Sequence, residues 1–507
     1  MRNRRGYVWF FLMPFSILLF PGWRPTLGET SQSSVPSAAV GQQQQCRTGG
    51  PIYCSRTDLV AVPLPAPLPN VGNLTGANTI ITDSAFSNPI VRVTDWKTEG
   101  SGGRNDNFAI DCGGSAEINF MNADSTRFFL CDAGGGIIPF IYDPSTMQAT
   151  RMYTAKFPAT NGMRILAAAS SGEWSFQPKN IMYDVETGSY QAGTPVLKSY
   201  DFGNQSVPPT PETLYNFSSN ANCVPASAGA THWVTDVTVS HDDQTFSTAF
   251  SLTGGQGTGV WVVVWNRTNG CRWLNTQTGE VGGQWGTLGN ISIFDRFYIH
   301  NSRLSLDGNW VKIGFQNCIT NCVAGVQNYF WEIGTSTVLA CTTASNCLGH
   351  SAVGYKYFIN SPTTPKQQSQ LIRPLASVSN QTEIWTQGPP NHIPWDNHQS
   401  WQNATPSDDN PYLSSSSTGV PVAYAWDNEI DGFSTNGSGK VYRFAHTFAT
   451  GNTPFFSGAN AIGSVSRDGK FFAWCSDWEG TLGSTKGSYT CTIGSNCRSD
   501  VFIVLLK

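Results

Sequence analysis

The chain has 507 residues, of which 13% are charged, 12% are aromatic and 51 are glycine. Low charge with abundant glycine and aromatic residues excludes a disordered or a helical chain and is typical of an all-β protein with many turns. The formal net charge of −4 shows no basic excess, which argues against nucleic acid as a partner.

Residues 1–30 have the pattern of a secretory signal peptide. Three arginines within the first five residues precede an apolar run from Tyr7 to about Phe20, which is too short to span a bilayer comfortably. An uncleaved membrane anchor is the alternative. No later apolar run approaches about 18 residues, so we expect a secreted or periplasmic protein with no membrane span in the mature chain.

Residues 31–78 are rich in proline, serine and glutamine and predict an extended or disordered leader. Prolines occupy every second position from Pro63 to Pro69, which favours an extended chain. The predicted folded domain covers residues 79–507, with Pro89–Thr94 as one of its first strands.

Thirteen cysteines in an exported chain predict disulfides. Most would form local pairs that close short loops, and Cys223 with Cys271 would close a longer one. The expected local pairs are Cys46–Cys54, Cys112–Cys131, Cys318–Cys322, Cys341–Cys347 and Cys491–Cys497. Cys475 is then left over, inside an apolar strand, as a buried thiol.

A repeated hairpin organises the domain. In Arg303–Phe315 an alternating strand is reversed by Asp307-Gly308 and continues as a second alternating strand, which is the pattern of a β-hairpin. Similar stretches with an Asp-containing turn recur at Ile118–Leu130, Val237–Phe246 and Ser464–Trp474. A third apolar strand follows each of them, and often a fourth, more polar one. Four-stranded units of roughly 45 to 70 residues are typical of β-propeller blades.

We count seven units, so the predicted fold is an all-β propeller of seven four-stranded blades. The units start near Glu117, Arg164, His232, His300, His350, His398 and Ile462. The second, fifth and sixth lack a clean Asp-Gly turn, which leaves six or eight blades as alternatives. The last unit ends after its third strand, so we expect Pro89–Thr94 to supply the outer strand and close the ring. Two stacked β-sandwiches would explain the strands but not the phased repeats.

Four of the seven histidines mark the start of an inner strand in consecutive units, where loops line the central funnel of a propeller. They are His232, His300, His350 and His398. We expect at least two of them to share a site, and a ring of neutral imidazoles with an amide or carboxylate suits a divalent metal. Candidate ligand-binding residues beside the funnel are Trp233, Asn301, Asn397, Trp401 and, in the segment entering the first blade, Arg104.

The Ser-x-Asp-Gly-x-aromatic turns, together with Asn88–Thr94, resemble the TolB-like and oligogalacturonate-lyase-like propellers over most of residues 85–507. In the latter group, histidines and a glutamine hold a metal that binds a uronate carboxylate and acidifies the adjacent C–H for β-elimination. The resemblance therefore implies one divalent metal, manganese or calcium, although no stretch here aligns with that group's metal motif. The implied metal ligands are His300, His350, His398 and Gln399, and the implied catalytic residues are His232, His300 and Arg303, as base or charge stabiliser.

A second candidate site is acidic. Asp427, Glu429 and Asp431 alternate, so they would lie on one face of a strand. Paired carboxylates beside tryptophan serve glycoside hydrolysis or calcium binding, and solvated loop charges are the alternative.

These observations predict a secreted, monomeric propeller that binds an extracellular polysaccharide or oligosaccharide in a histidine-lined funnel. If the protein is an enzyme, polysaccharide lyase is favoured over glycoside hydrolase. The alternative is a non-catalytic propeller that binds a protein or cell-envelope partner through the same face.

Overall fold

The computed structural model describes a nearly all-β chain. The described residues are 56–98, 108–109, 117–132, 136–153, 172–177, 180–185, 196–220, 222–223, 232–233, 237–251, 259–291, 296–320, 325–342, 351–360, 369–379, 382–386, 398–417, 422–451, 461–493 and 495–506. Besides strands they contain the short 3-10 turns Phe217–Ser219 and Leu375–Ser377. Within these ranges, no helix has the length and apolar character needed to cross a membrane.

Two N-terminal strands precede seven blades of antiparallel strands. The N-terminal strands are β1 (Ile80–Thr82) and β2 (Pro89–Arg92). Blade 1 contains β3 (Phe108–Ala109), β4 (Arg127–Asp132), β5 (Gly136–Asp143) and β6 (Gln148–Arg151). Blade 2 contains β7 (Glu173–Trp174), β8 (Ile181–Val185), β9 (Val196–Asp201) and β10 (Glu212–Asn216).

Blades 3 and 4 share one continuous sheet, because Gly259 pairs with Ile299 across them. Blade 3 contains β11 (His232–Trp233), β12 (Thr238–Val239), β13 (Thr245–Ser251), β14 (Gly259–Asn266) and β15 (Gly270–Asn275), extended by β16 (Glu280–Gly283) and β17 (Gly289–Asn290). Blade 4 contains β18 (Arg296–Leu304), β19 (Trp310–Thr320), β20 (Val326–Glu332) and β21 (Val338–Thr342).

The last three blades complete the ring. Blade 5 contains β22 (Ser351–Val353), β23 (Tyr357–Asn360), β24 (Ser369–Pro374) and β25 (Thr382–Thr386). Blade 6 contains β26 (His398–Ser400), β27 (Tyr412–Ser415), β28 (Glu429–Phe433) and β29 (Val441–His446). Blade 7 contains β30 (Gly463–Val465), β31 (Phe471–Ser476) and β32 (Asp500–Leu505), followed in space by β2 and β1.

The predicted closure of the ring is confirmed. Strand β2 pairs antiparallel with β32, with Val91 opposite Ile503. Blade 7 therefore takes its inner strands from the C-terminus and its outer strands from the N-terminus. The predicted seven-bladed fold is confirmed as well. The second blade starts at Glu173 in the described residues, and its predicted start, Arg164, lies outside them.

A buried cluster of charged side chains stabilises this closure. Arg92 donates to Asp500 through Nε and Nη2, at 3.0 and 2.5 Å, and Arg498 Nη2 donates to the other carboxylate oxygen at 2.8 Å. Thr94 Oγ1 also donates to Asp500, at 2.8 Å. The side chains of Arg92, Asp500 and Arg498 are fully buried, so the charges are stabilised by one another and not by water.

Both faces of each blade are apolar because neighbouring blades cover both. In β14, Val262 and Val264 pack with Ile313 of blade 4, whereas Trp261 and Val263 pack in a separate core cluster. Successive strand residues point to opposite faces. A continuous apolar run such as that of β14 is therefore the expected pattern for a strand inside a propeller.

The Ser-x-Asp turns are hydrogen-bonded units that recur between inner strands and their neighbours. In blade 4, Ser305 Oγ donates to Asp307 Oδ1 at 2.6 Å and accepts from Trp310 N at 2.9 Å. The same bonds form from Ser240 in blade 3 and Ser466 in blade 7. This explains why the turn sequence repeats.

The fourth turn position has positive φ, and in blade 3 the side chain of its residue links the turn to blade 2. Gly308 holds it in blade 4, at φ +74°, which favours glycine. Asp243 holds it in blade 3, at φ 57°, and its carboxylate accepts from Ser175 Oγ, Phe176 N and Tyr183 Oη of blade 2. The backbone strain of a non-glycine residue there is compensated by these links between blades.

Two predicted disulfides are formed within the described residues. They are Cys223–Cys271, which closes a loop of 48 residues, and Cys491–Cys497. Cys318 and Cys341 are also disulfide-bonded, with partners outside the described residues. Cys475 is a buried thiol in β31.

The N-terminal segment before β2 lies against blade 6. Arg443 Nη1 donates to Asp58 O and Val60 O, each at 2.9 Å. His446 contacts Asp83 Oδ2 through Nδ1 and Val62 O through Nε2, each at 2.9 Å. Because both ring nitrogens face acceptors, both must donate, and the buried imidazole is therefore protonated.

Replacing Arg92 with alanine should lower the free energy of unfolding by about 3–5 kcal/mol, because it removes one of the two buried ion pairs of Asp500 and leaves the carbonyls of Val71 and Gly72 without their donor. Lys470→Gln is the control. Lys470 forms an exposed ion pair with Asp468, and such pairs contribute about 1 kcal/mol or less. Denaturant unfolding monitored by tryptophan fluorescence measures both values, and equal effects would show that closure does not depend on the cluster.

The His446–Asp83 contact predicts a loss of stability at alkaline pH. Burial alone would lower the pKa of His446, but the hydrogen bond and charge of Asp83 raise it above 6.5. The stabilisation is therefore complete below pH 6.5 and is lost as the pH rises through the raised value. Burial would raise the pKa of Asp83, but His446 lowers it below 3.8, so acid disrupts the contact only below pH 3.8. The unfolding midpoint should decrease as the pH rises above 6.5, and His446→Gln should abolish this decrease.

Candidate functional site

The axis of the propeller holds a pocket lined by six blades. Its residues are Glu117, Glu173, Thr238, Val239, Arg303, Leu304, Leu306, Val353 and Gln402. They belong to inner strands or to segments beside them. A pocket shared by blades 1 to 6 can lie only where the inner strands converge. The charged members, Glu117, Glu173 and Arg303, are all buried.

Arg303 and a second cation, Lys312, reach the axis together. They are direct partners in the β18–β19 ladder, so their side chains project from the same face. Lys312 Nζ donates to Glu117 Oε1, and Arg303 Nη1 donates to Glu173 Oε2 at 3.0 Å. Arg303 Nε also lies 3.9 Å from Glu117 Oε2. Two cations and two carboxylates thus balance in a buried region where an uncompensated charge would be costly.

Hydroxyl groups fix the spacing of the inner strands around this network. Thr238 Oγ1 of blade 3 accepts from Leu304 N of blade 4 at 3.1 Å. Ser400 Oγ of blade 6 accepts from Val465 N of blade 7, also at 3.1 Å. Each bond crosses between blades, which makes the channel wall rigid at the level of the charges.

The mouth of the channel is defined as the end at which β18 begins. His300 lies towards this end, three residues before Arg303 on the same strand and outside the residues that line the pocket. Its side chain is exposed, yet partial desolvation by the surrounding protein and the charge of Lys312 lower the pKa of His300 below 6.5. The imidazole is therefore neutral at pH 7. Asn301 follows it and is partly buried, and Gly314 opposite has no room for a side chain, since a Cβ there would lie 2.1 Å from Asn301 Oδ1.

The predicted ligands His398 and Gln399 are buried in β26, with 2% and 1% of their surface exposed. As neighbours in a strand they point to opposite faces. No group of three His, Cys, Asp or Glu in the described ranges is arranged to hold a metal ion. The roles of His300, His398 and Gln399 as metal ligands stay predictions. His350 lies outside the described residues, and its role as a ligand also stays a prediction.

Several other predicted residues cannot be placed in the site. His232 and Trp233 form β11, which pairs with β13, but their side chains lie outside the described part of the chain. Arg104 and Asn397 also lie outside it. Their predicted roles stay predictions.

Trp401 is a packing residue in this structure. Only 1% of its surface is exposed, it belongs to a core cluster with Tyr412, and its Nε1 donates to Asn410 O at 2.8 Å. A sugar ring cannot stack on an indole that core residues enclose.

The alternating carboxylates of blade 6 are buried and not solvated. Glu429 accepts from Nε and Nη2 of Arg443, both at 2.7 Å, in a two-pronged ion pair. Burial and the neighbouring Glu429 raise the pKa of Asp431 well above its ordinary value. These groups stabilise blade 6, and they do not form the open acid–base pair that glycoside hydrolysis needs.

Glu173, Lys312 and Gln402 belong to none of the sequence motifs described above, and Glu117 marks only the start of a blade in the sequence. Lys312 did carry a signal, because it stands between Val311 and Ile313 in a strand with two buried faces. A lysine at such a position needs a buried carboxylate. That carboxylate, Glu117, is 195 residues away, so local sequence could not identify it.

Comparisons with known proteins concern only the fold of this chain. No protein-family model and no curated protein matches its sequence. It resembles the solved structure of an oligogalacturonate lyase from Vibrio parahaemolyticus, with a TM-score of 0.47 and 9% identity over 84% of this chain and 96% of that one. It also resembles an oligogalacturonate lyase in complex with manganese, with a TM-score of 0.44 and 10% identity over 84% and 96% of the two chains. Neither likeness bears on the chemistry of this chain.

A double-mutant cycle at Lys312 and Glu117 tests the axial network. Each single change, Lys312→Met or Glu117→Gln, should destabilise the fold by about 3–5 kcal/mol, because it leaves a buried charge without its partner. The double variant should lose less stability than the sum of the two single losses, by about 1–3 kcal/mol. Additive losses in urea unfolding would show that the pair is not energetically coupled.

Proposed function

We propose that the protein is an exported propeller that binds an extracellular acidic glycan at the mouth of its axial channel and cleaves it by β-elimination. The observation that carries this proposal is the arrangement of β18, which holds an exposed imidazole, His300, at the mouth and the buried cation Arg303 below it. Lys312 is the second cation near His300.

Export is supported by two features. The N-terminal sequence has the basic start and short apolar run of a signal peptide. Disulfides such as Cys223–Cys271 form and persist in oxidising compartments. Both fit a protein that meets its glycan outside the cytoplasm.

The residues at and below the mouth can supply the base and the positive charge that elimination from a uronate requires. A base must remove the proton beside the carboxylate, the bond to the leaving oxygen breaks as the carbon–carbon double bond forms, and the leaving oxygen takes up a proton. His300 is neutral at pH 7 because its pKa is lowered, so it can accept the proton. The positive charges of Lys312 and Arg303 stabilise negative charge that develops on the carboxylate.

The second candidate is a non-catalytic propeller that binds a protein or an envelope component through the same face. It is favoured by the pairing of Arg303 with Glu173 and of Lys312 with Glu117, which already neutralises the channel cations. In that case the mouth would bind an acidic ligand without bond cleavage.

Replacing His300 with alanine should lower the elimination rate on a uronate polysaccharide by about 10²–10⁴-fold, as expected for loss of a general base. The assay is the ultraviolet absorbance of the unsaturated product. In the wild type the rate should hold below pH 6.5 and fall as the pH drops through the lowered pKa of His300.

Lys470→Gln is the control, because it removes an exposed charge at the turn end of the ring and should leave the rate unchanged. A wild-type protein that binds uronate polysaccharides without an absorbance gain would support the non-catalytic candidate. Full activity of the His300→Ala variant would exclude His300 as the base.

A further inference from the structure

A second group of side chains lies at the other end of the axis. They come from the same position of the repeated turn in different blades. This position lies between the serine and the acidic or amide residue of each turn. It holds Phe176 in blade 2, His241 in blade 3, Leu306 in blade 4 and Arg467 in blade 7. Equivalent positions in a closed ring converge on its axis. Inner strands begin at the mouth and end at these turns, so this turn-end cluster and His300 lie at opposite ends.

Side chains from four blades touch one another there. The Arg467 guanidinium lies 5.2 Å from the centre of the Phe176 ring. The His241 ring lies 5.8 Å from the Phe176 ring and 5.5 Å from the ring of Tyr355 in blade 5. His241 N donates to Leu306 O at 2.8 Å, which fixes the backbone of the histidine.

Two polar groups of this cluster have no hydrogen-bond partner among the described residues. Tyr355 has only 6% of its surface exposed, and its buried hydroxyl has no hydrogen-bond partner within the described residues. A buried hydroxyl without a partner costs about 1–3 kcal/mol, and such groups are few in native proteins.

Arg467 is the second unsatisfied group. It is half-buried, and no described residue accepts a hydrogen bond from it or forms an ion pair with it. The other axial arginine differs, because Arg303 pairs with Glu173 at 3.0 Å. An arginine stacked on a ring beside a buried phenol, with no acceptor for its N–H donors in the described ranges, is suited to bind an acceptor from a ligand.

We propose that the turn-end cluster of Arg467, Tyr355, His241 and Phe176 binds a carboxylate. The guanidinium of Arg467 presents paired N–H donors that match the two oxygens of a carboxylate. The Tyr355 hydroxyl adds a third donor. Burial and the charge of Arg467 lower the pKa of His241 to about 4, so its neutral imidazole adds an N–H donor.

A monoanion suits this site better than a phosphate dianion. The carboxylates of Asp242, Asp307 and Asp468 lie close enough to act electrostatically on His241, Tyr355 or Arg467. They would repel a second negative charge on the ligand. The carboxylate could come from a uronic acid or from the C-terminus of a peptide, since both present the same two oxygens.

The experiment measures binding by titration calorimetry on the full-length secreted protein. The probes are galacturonate and N-acetyl-dialanine, with galactose and N-acetyl-dialanine amide as neutral counterparts and inorganic phosphate as a dianion. We expect at least one carboxylate probe to bind and its neutral counterpart to fail. Galacturonate binding alone would identify a uronate site, and dipeptide binding alone would identify a peptide C-terminus. Failure of both carboxylates, or tighter binding of phosphate, would overturn the proposal.

The variants separate this site from the channel mouth. Arg467→Gln should weaken carboxylate binding by at least about tenfold, and Tyr355→Phe by several-fold, because each removes a donor to a charged acceptor. Arg467→Lys should retain part of the affinity. Lys470→Gln, which removes an exposed cation from the same turn, should change nothing.

A packing role for the cluster makes a different prediction. Tyr355→Phe would then remove an unsatisfied hydroxyl and raise the melting temperature without changing carboxylate affinity. Wild-type affinity of Arg467→Gln for the carboxylate probe would overturn the proposal. If His300→Ala also lost that affinity, the carboxylate would bind at the mouth. Loss of lyase activity alone would leave this site standing.

Discussion

Antiparallel pairing of an N-terminal strand with the last strand is the interaction on which the rest of the structure depends. It joins residues 408 positions apart, Arg92 and Asp500, in a cluster with no access to water. A ring left open would expose two strand edges and the apolar faces of two blades. Blades 1 and 7 are covered on both sides only because the ring is closed. Its energy therefore supports the whole ring and not one blade.

Closure also determines the chemistry of the axis, because the inner strands then face one another across a narrow channel. At mid-depth the cations Arg303 and Lys312 are matched by carboxylates and held by hydroxyl bonds between blades. At the mouth His300 is open to solvent. At the turn end the Tyr355 hydroxyl is buried, with no hydrogen-bond partner among the residues that the structure describes. The charges in the middle are thus balanced by the protein itself, whereas the two ends retain polar groups with capacity for a ligand.

The turn between inner and second strand shows how one repeat serves both purposes. The serine and aspartate are committed to bonds within the turn, as Ser305 and Asp307 show. The residue between them makes no side-chain bond that the turn needs. This residue is Phe176 in blade 2, His241 in blade 3 and Arg467 in blade 7, and it is the one that faces the axis. Function can therefore change there without loss of the fold.

The sequence by itself determined the all-β class, the hairpins, the seven units and the strand that closes the ring. These depend on alternation and turn chemistry within about ten residues, which local sequence contains. It also predicted His300 at the start of an inner strand, whereas β18 begins four residues earlier, at Arg296. Only the tertiary structure decided that Lys312 meets Glu117, that His398 and Trp401 are buried, and that Arg467 lies beside Phe176. Residues of different blades meet only when the ring closes, and burial depends on the neighbours that closure supplies.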